Sequence, residues 1–447
     1  MDSIHNMFRG QLICLFCHGV LWTSLAGLQA EERPQAAPQA PRKSRLHGYV
    51  GGPYKVLVAD FTGDRHADVM IGYRNLGIVS VAAGNGKGQF SAPIRNAFTD
   101  EDRQVYPDDA SWSEPHVHNL AQADLDEDGL ADIACAIGGL SQRKPGRILV
   151  ARNIGQGKFQ RIVEYAVPSQ AKGVRFADMD RDGRLDLLYT ARGSGYEHDL
   201  KVGRLYIRQG LGNWKFGPAR VSPAGKSAYY VEVADLDNDQ FPDVLIPNEH
   251  DRCVTYFMNP GKDLFQDETA LVSRHLTATR IPDRRSHAIN DVRATDLNGD
   301  GNQDVVTANL GTSTVSIFLG NGDGSFRQDT LLEAGKNGAF LGIGDLDQDG
   351  DQDFVITHWT EDFVSVFLNQ GDGTFAPRRD YQAGLGNYGV DVVDLNHDGW
   401  PDIVTANYRQ RSVSVLLGKG KGMFQPAINT SRGLRGYQGK WIPAPLE

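Results

Sequence analysis

The chain has 447 residues, with 46 basic and 56 acidic side chains and a formal net charge of −10. That acidic balance, with no block of lysine and arginine, excludes a nucleic-acid-binding protein of the basic type. A hydrophobic content of 40% and a charged content of 23% are those of a globular protein, and the 51 glycines point to many turns.

At the N-terminus, Arg9 precedes a mostly apolar stretch from Leu12 to Leu28, and Ala30 follows before an acidic and proline-rich segment. Residues 1–30 read as a secretory signal peptide, with an uncleaved membrane anchor as the alternative. Residues 31–45, rich in Pro, Ala, Gln and charge, read as a disordered linker. No later stretch is long enough to span a bilayer, so no membrane span is expected in the mature chain; the signal implies export, and a monomer is expected. Cys14 and Cys17 lie in the signal segment. Cys135 and Cys253 fall in or beside strand-like runs of different repeats and are expected to be buried free thiols.

From residue 46 to the end one pattern recurs seven times. A short apolar run leads into an acidic loop, a second apolar run follows, then a variable loop, then a third apolar run. The third run ends in a glycine-rich turn closed by phenylalanine, and a polar, strand-like piece completes the unit. The acidic loops begin at Asp60, Asp124, Asp178, Asp235, Asp296, Asp345 and Asp394, and the turns close at Phe90, Phe159, Phe216, Phe265, Phe326, Phe375 and Phe424, in strict alternation. Runs such as Val315-Ser316-Ile317-Phe318-Leu319 and Val413-Ser414-Val415-Leu416-Leu417 alternate as half-buried strands do. Four strands per unit, seven times over, predict an all-β, seven-bladed β-propeller of about four antiparallel strands per blade. A β-solenoid is the competitor, but its rungs are shorter and need no hairpins. Two segments compete for the outer strand of the last blade: the N-terminal piece around Pro41-Arg42-Lys43, or the segment after Phe424.

The stretch 394–402, Asp-Leu-Asn-His-Asp-Gly-Trp-Pro-Asp, followed by Asp-Ile-Val-Thr-Ala-Asn (402–407) and Val-Ser-Val-Leu-Leu-Gly (413–418), resembles FG-GAP/VCBS-type repeats, which also occur in the propeller of integrin α subunits. The resemblance covers roughly residues 46 to 432. It implies that each acidic loop joins the innermost strand to the next and binds Ca²⁺ at the rim of its blade, and it implies no single activity.

The loop residues fit a hard cation on their own chemistry. Such an ion takes side-chain oxygens at loop positions 1, 3, 5 and 9, with glycine at position 6 for the sharp turn. Asp124/Asp126/Asp128/Asp132, Asp178/Asp180/Asp182/Asp186 and Asp345/Asp347/Asp349/Asp353 meet this in full. Asp296/Asn298/Asp300/Asp304 and Asp394/Asn396/Asp398/Asp402 substitute asparagine at position 3. Asp60/Thr62/Asp64/Asp68 carries Arg65 at position 6, whose charge stands in part for an ion, and Asp235/Asp237/Asp239/Asp243 carries Gln240 there. These two loops are expected to bind Ca²⁺ least. Seven similar ion sites around a ring argue for a structural role.

The loops that do not repeat are then the place for a ligand. His116, His118, Arg192, His198, His250, Arg284, His287, His358, Trp359, Tyr388 and Tyr408 fall in connections expected at the end of the ring opposite the acidic loops. Aromatics there would stack on sugars and arginines would pair with carboxylates or sulfates, so a carbohydrate or protein ligand is expected. Local decoration of a surface explains the same residues without a ligand. His116-Val117-His118 offers two imidazoles on one side of a strand, a weak metal signal. No nucleophile elbow, HExxH or Walker motif is present and no catalytic residue is assigned. A binding or scaffold module is the reading, and a polysaccharide lyase-like enzyme using a His or Tyr base is the alternative.

Overall fold

The computed structural model describes residues 51–74, 76–98, 116–138, 145–193, 202–266, 272–276 and 288–431. Residues 1–45, with the expected signal and linker, lie outside these, as do His198, Arg284 and His287. The described residues form seven four-stranded sheets, each an antiparallel meander of consecutive strands. Blade 1 shows the plan: Pro53–Ala59 innermost, then Asp68–Tyr73, Val79–Ala82 and Ile94–Asn96 outward. The other innermost strands are His116–Ala123, Ala171–Ala177, Glu232–Ala234, Ala288–Thr295, Gly338–Gly344 and Asn387–Val393. The outer strand of blade 7 is Ile428–Thr430, so of the two candidates it is the segment after Phe424 that completes the last sheet.

The apolar residues of these strands point to both faces of each sheet, because every sheet is covered on both sides by a neighbouring blade. The core is accordingly divided among seven seams. Val56, Val69 and Ile71 of blade 1 pack on Leu395, Val404 and Val415 of blade 7, which closes the ring by side-chain packing. Val117, Leu120 and Ile133 of blade 2 meet Met70, Val79 and Val81 of blade 1 on its other side. Cys135 and Cys253 are buried free thiols within strands. A turn of 3-10 helix at Gly261–Phe265 replaces the glycine turn of blade 4.

Each acidic loop joins an innermost strand to the second strand. In a meander this places the loops and the glycine turns on one face, and the second-to-third and outer-to-inner connections on the other. The inner strands are irregular. Register shifts fall at Pro53/Lys55, Val117/Asn119, Ile289/Asp291, Gly338/Leu341 and Asn387/Val390. Such bulges re-aim side chains, here toward the central channel.

Candidate metal loops and binding cluster

The seven acidic loops share one hydrogen-bond frame. The position-1 carboxylate accepts the main-chain N–H of position 6 and, outside blade 5, that of position 5, as Asp124 does from Gly129 at 2.8 Å and Asp128 at 3.1 Å. The position-9 aspartate is buried in every blade. One of its oxygens accepts the N–H of position 2, and the other accepts an N–H from the end of the third strand. Asp353 takes these from Leu346 at 2.7 Å and Asn369 at 2.7 Å. Burial raises all seven of these carboxyls above the usual carboxylate range despite the N–H bonds: to about 7 for Asp186, Asp243 and Asp353, and to about 6 for Asp304 and Asp402.

Four loops bring three carboxylate oxygens within 4.8 Å of one another: Asp124/Asp126/Asp132, Asp178/Asp180/Asp186, Asp235/Asp237/Asp239 and Asp345/Asp347/Asp353. At position 3, buried oxygens of Thr62, Asp126 and Asp347 have no hydrogen-bond partner. Carboxylates gathered around partnerless buried oxygens fit a hard divalent cation, which would hold the buried acids ionised. Asn298 and Asn396 turn their amide N–H toward Asp300 and Asp398, at 3.0 and 2.9 Å.

The position-5 acids are placed differently from those at positions 1, 3 and 9. Asp64, Asp128, Asp182 and Asp349 are exposed, and none of them belongs to a three-carboxylate group. Each sits in a local turn. Each spends one oxygen on the main-chain N–H of position 7: Asp64 on His66 at 2.9 Å, Asp128 on Leu130 at 2.9 Å, Asp182 on Arg184 at 2.8 Å and Asp349 on Asp351 at 3.0 Å. Asp239 makes the same bond to Phe241 at 2.8 Å, yet it joins the group of blade 4, where the position-9 Asp243 does not. The loop of blade 1 forms no three-carboxylate group among the described residues, because Thr62 replaces the position-3 acid beside Asp60, Asp64 and Asp68.

Position 6 is left-handed in all seven loops, with φ of +84° at Gly129, +99° at Gly350, +68° at Arg65 and +74° at Gln240. Position 4 is left-handed too, although Glu127, Arg181, Asn238, Gln348 and His397 stand there. In blade 2 the Arg152 guanidinium reaches two loop carboxylates, 2.7 Å from Asp126 and 3.1 Å from Asp128. Its ring neighbour Trp214 donates its indole N–H to Asp132 at 3.2 Å.

On the opposite face the described candidates other than His358 converge. Trp359 and Tyr408 stack at 5.3 Å between centroids, and the Arg74 guanidinium lies 5.5 and 5.0 Å from their rings. Arg409 covers Trp359 at 5.4 Å. Arg74 donates to His116 at 3.3 Å, and His116 stacks on His118 at 5.2 Å. Lys172, which the sequence did not single out, is buried with its ammonium 3.2 Å from His118 Nε2 and 4.7 Å from the Tyr229 ring centre. Burial lowers both the His118 and Lys172 pKa values well below their ordinary ones. Arg192 donates to Ser227 at 2.7 Å and to Glu249 at 3.3 Å, and His250 lies 3.7 Å from Glu249. Tyr54 and Tyr388, stacked at 4.1 Å, form the buried base with Phe340 and Tyr230 and plug this end of the channel.

His358 stands apart. It is fully buried, and its Nε2 lies 3.0 Å from Ser365 Oγ, which donates to Asp380 at 2.6 Å. Asn407, Ser414 and Asn429 make the same three-strand column in blade 7, so His358 occupies a structural asparagine position. Five of the clustered residues share another repeat position. Arg74, Arg192, Glu249, Trp359 and Tyr408 each follow directly on a second strand, and each donates its main-chain N–H to the segment entering its own inner strand or bordering it. Alignment of the repeats on the last loop aspartate would have found both sets.

The sequence model of the FG-GAP-like repeat matches residues 124–189, 296–356 and 345–405, and the chain carries these repeats. No curated protein matches it. Among solved structures it is similar to an Agrocybe aegerita lectin described as recognising non-reducing terminal N-acetylglucosamine, at 20% identity over 89% of this chain and 85% of that one, with a TM-score of 0.34. It is also similar to BBS1N in complex with ARL6DN, at 9% identity over 82% and 93% with a TM-score of 0.49. A functionally unknown protein from Desulfotomaculum acetoxidans matches at 12% identity over 79% and 96%, with a TM-score of 0.49.

Proposed function

We propose that this seven-bladed propeller of FG-GAP-like repeats is an exported binding or scaffold module, with calcium in its acidic loops and a carbohydrate or protein ligand on the opposite face. One observation carries the reading: polar and aromatic side chains of six blades meet at that face. The Trp359–Tyr408 pair, flanked by Arg74 and Arg409, offers a half-exposed aromatic platform between two guanidinium groups. Such a platform stacks on a sugar ring while the arginines pair with its carboxylate or sulfate groups.

In the loops the position-1, -3 and -9 oxygens would hold the ion, and position 5 would add only the oxygen that its local turn leaves over. The ion would supply charge that keeps the buried position-9 aspartates ionised and fixes the strand connection. The ring itself does the rest. Repeated main-chain bonds orient the carboxylates, and the aromatic plug gives the opposite face a rigid floor.

A glycan and polysaccharide panel, read for both binding and product release, tests this reading. Binding that is lost in Trp359→Ala and weakened in Arg74→Ala supports it. Binding unchanged in both variants contradicts it. Product release that disappears in His116→Ala would instead favour the lyase-like alternative.

A further inference from the structure

Below the aromatic plug the channel widens into a cavity of about 470 Å³, walled by the inner strands of all seven blades. Burial decreases along these strands toward the acidic loops, so the cavity opens on the loop face, away from the Trp359 platform. Six charged residues line it: Lys55, Arg175, Glu232, Asp291, Arg293 and Asp391. A structural channel needs no such set, and its members are unequally satisfied.

The carboxylates have donors. Asp391 accepts the Val58 N–H at 2.9 Å and the Val392 N–H at 3.1 Å. Asp291 accepts the Leu341 N–H at 3.0 Å and the Arg293 guanidinium at 3.1 Å. One oxygen of Glu232 accepts from both Arg175, at 2.9 Å, and Arg293, at 3.2 Å.

Lys55 is different. It is only 6% exposed, and the bulge at Pro53/Lys55 turns it into the channel. Its ammonium lies 4.5 Å from the Phe340 ring centre and 5.9 Å from that of Tyr230, and it has no hydrogen-bond or ion-pair partner among the described residues. Burial and the nearby Arg293 lower its pKa to about 8, against the pull of Asp291 and Asp391, so it remains mostly charged at neutral pH. A buried ammonium whose three N–H groups meet ring faces but no acceptor is unfavourable until one arrives. Formal charge in the cavity is balanced. Hydrogen bonding is not, because each acid already accepts two bonds while the lysine has no acceptor.

We propose that this cavity is a second binding site, taking a small organic molecule of monosaccharide size through a carboxylate held by Lys55, with Arg175 and Arg293 beside it. A ligand carboxylate supplies the acceptors that Lys55 lacks and can make charge-assisted bonds to the neighbouring guanidinium groups as well. The volume lies in the range of small-molecule sites.

Acetylation of Lys55 in the native full chain, mapped by mass spectrometry near pH 8, tests the site. Millimolar glucuronate or citrate is expected to slow labelling of Lys55 several-fold, while glucose does not. Trp359→Ala, on the other face, leaves this protection unchanged, which separates failure here from failure of the glycan platform. A rise in melting temperature with glucuronate should be present in the wild type and absent in Lys55→Met. If that variant does not fold, protection in the wild type decides alone. No labelling of Lys55, equal labelling with and without the carboxylates, or a thermal shift retained in folded Lys55→Met would overturn the proposal.

Discussion

Two residues show how local backbone and burial set energies in this ring. Gln240 holds φ of +74° where five other loops use glycine, and a Cβ at Gly129, Gly183, Gly301, Gly350 or Gly399 would meet nothing within 4 Å. The side chain therefore strains the backbone without clashing. Gln240→Gly is expected to stabilise the protein by roughly 0.5–1 kcal/mol, the left-handed penalty less the added chain entropy of glycine. Urea unfolding would show this as a higher midpoint, and a lower one would contradict it. His358 has the opposite character. Burial lowers its pKa from 6.5 to about 4. Above pH 6.5 both folded and unfolded chains carry it neutral, so it has no effect. As pH falls from there toward 4, the unfolded chain takes up a proton that the fold excludes, and stability drops by up to ~3 kcal/mol. His358→Asn, copying Asn407, should flatten that part of the pH–stability curve, and an unchanged slope would exclude this cause. Glycine at position 6 made one left-handed residue of each loop legible. The second was hidden, because Glu127 and Arg181 at position 4 carry no sign of positive φ. Spacing also could not show that Asp64, Asp182 and Asp349 fold back on their own turns, since an acid two residues before a main-chain N–H suits an ion and an Asx turn equally well.

The acidic loop connects two strands of one blade and packs against the next. The apolar residue at its position 2 drives into the seam: Phe61, Met179, Leu236, Leu297, Leu346 and Leu395 are buried, and Leu125 is half-buried. The carbonyl of that residue is capped from the following blade, at Phe61 by Asn153, at Met179 by Asn259 and at Leu297 by Asn369, with distances of 3.1, 2.8 and 2.7 Å. Leu346→Ala should therefore cost about 2–4 kcal/mol through cavity formation between blades 6 and 7. A loss well under ~1 kcal/mol in denaturant unfolding would show that the seam does not depend on this position. In blade 2 the loop carboxylates already hold Arg152. Arg152→Ala is expected to raise the affinity of that loop several-fold for a hard cation, read as Tb³⁺ luminescence sensitised by Trp214. Unchanged or weaker binding would mean that the arginine does not compete. The loops and strands were legible because carboxylate spacing and alternation survive in each copy. The binding cluster was only partly so. Trp359 and Tyr408 stand out by residue type, but Arg74 and Lys172 carry no motif, and only the shared repeat position or the bulged inner strands bring them to the site.

At the scale of the molecule, the sequence repeats predicted seven blades and the structure has seven, each a contiguous meander. Closure was illegible because Pro41-Arg42-Lys43 and the segment after Phe424 both suit an outer strand, and pairing of Ile428–Thr430 with Ser412–Leu416 settles it. Nor could the sequence show a channel plugged by Tyr54, Tyr388 and Phe340 at one end and lined by ionic groups at the other, because those residues come from separate blades. A ring closed by seven apolar seams still contains seven acidic loops whose charges repel, and bound cations would neutralise them. An ion at about 100 times its Kd adds roughly 2.7 kcal/mol per site to the folded state, so several sites should shift the melting temperature by several degrees or more. Calorimetric melts of the full chain in millimolar Ca²⁺ and in excess chelator test this most directly. A melting temperature clearly lower in chelator and restored by added Ca²⁺ is the predicted result, and identical transitions in the two conditions would contradict it.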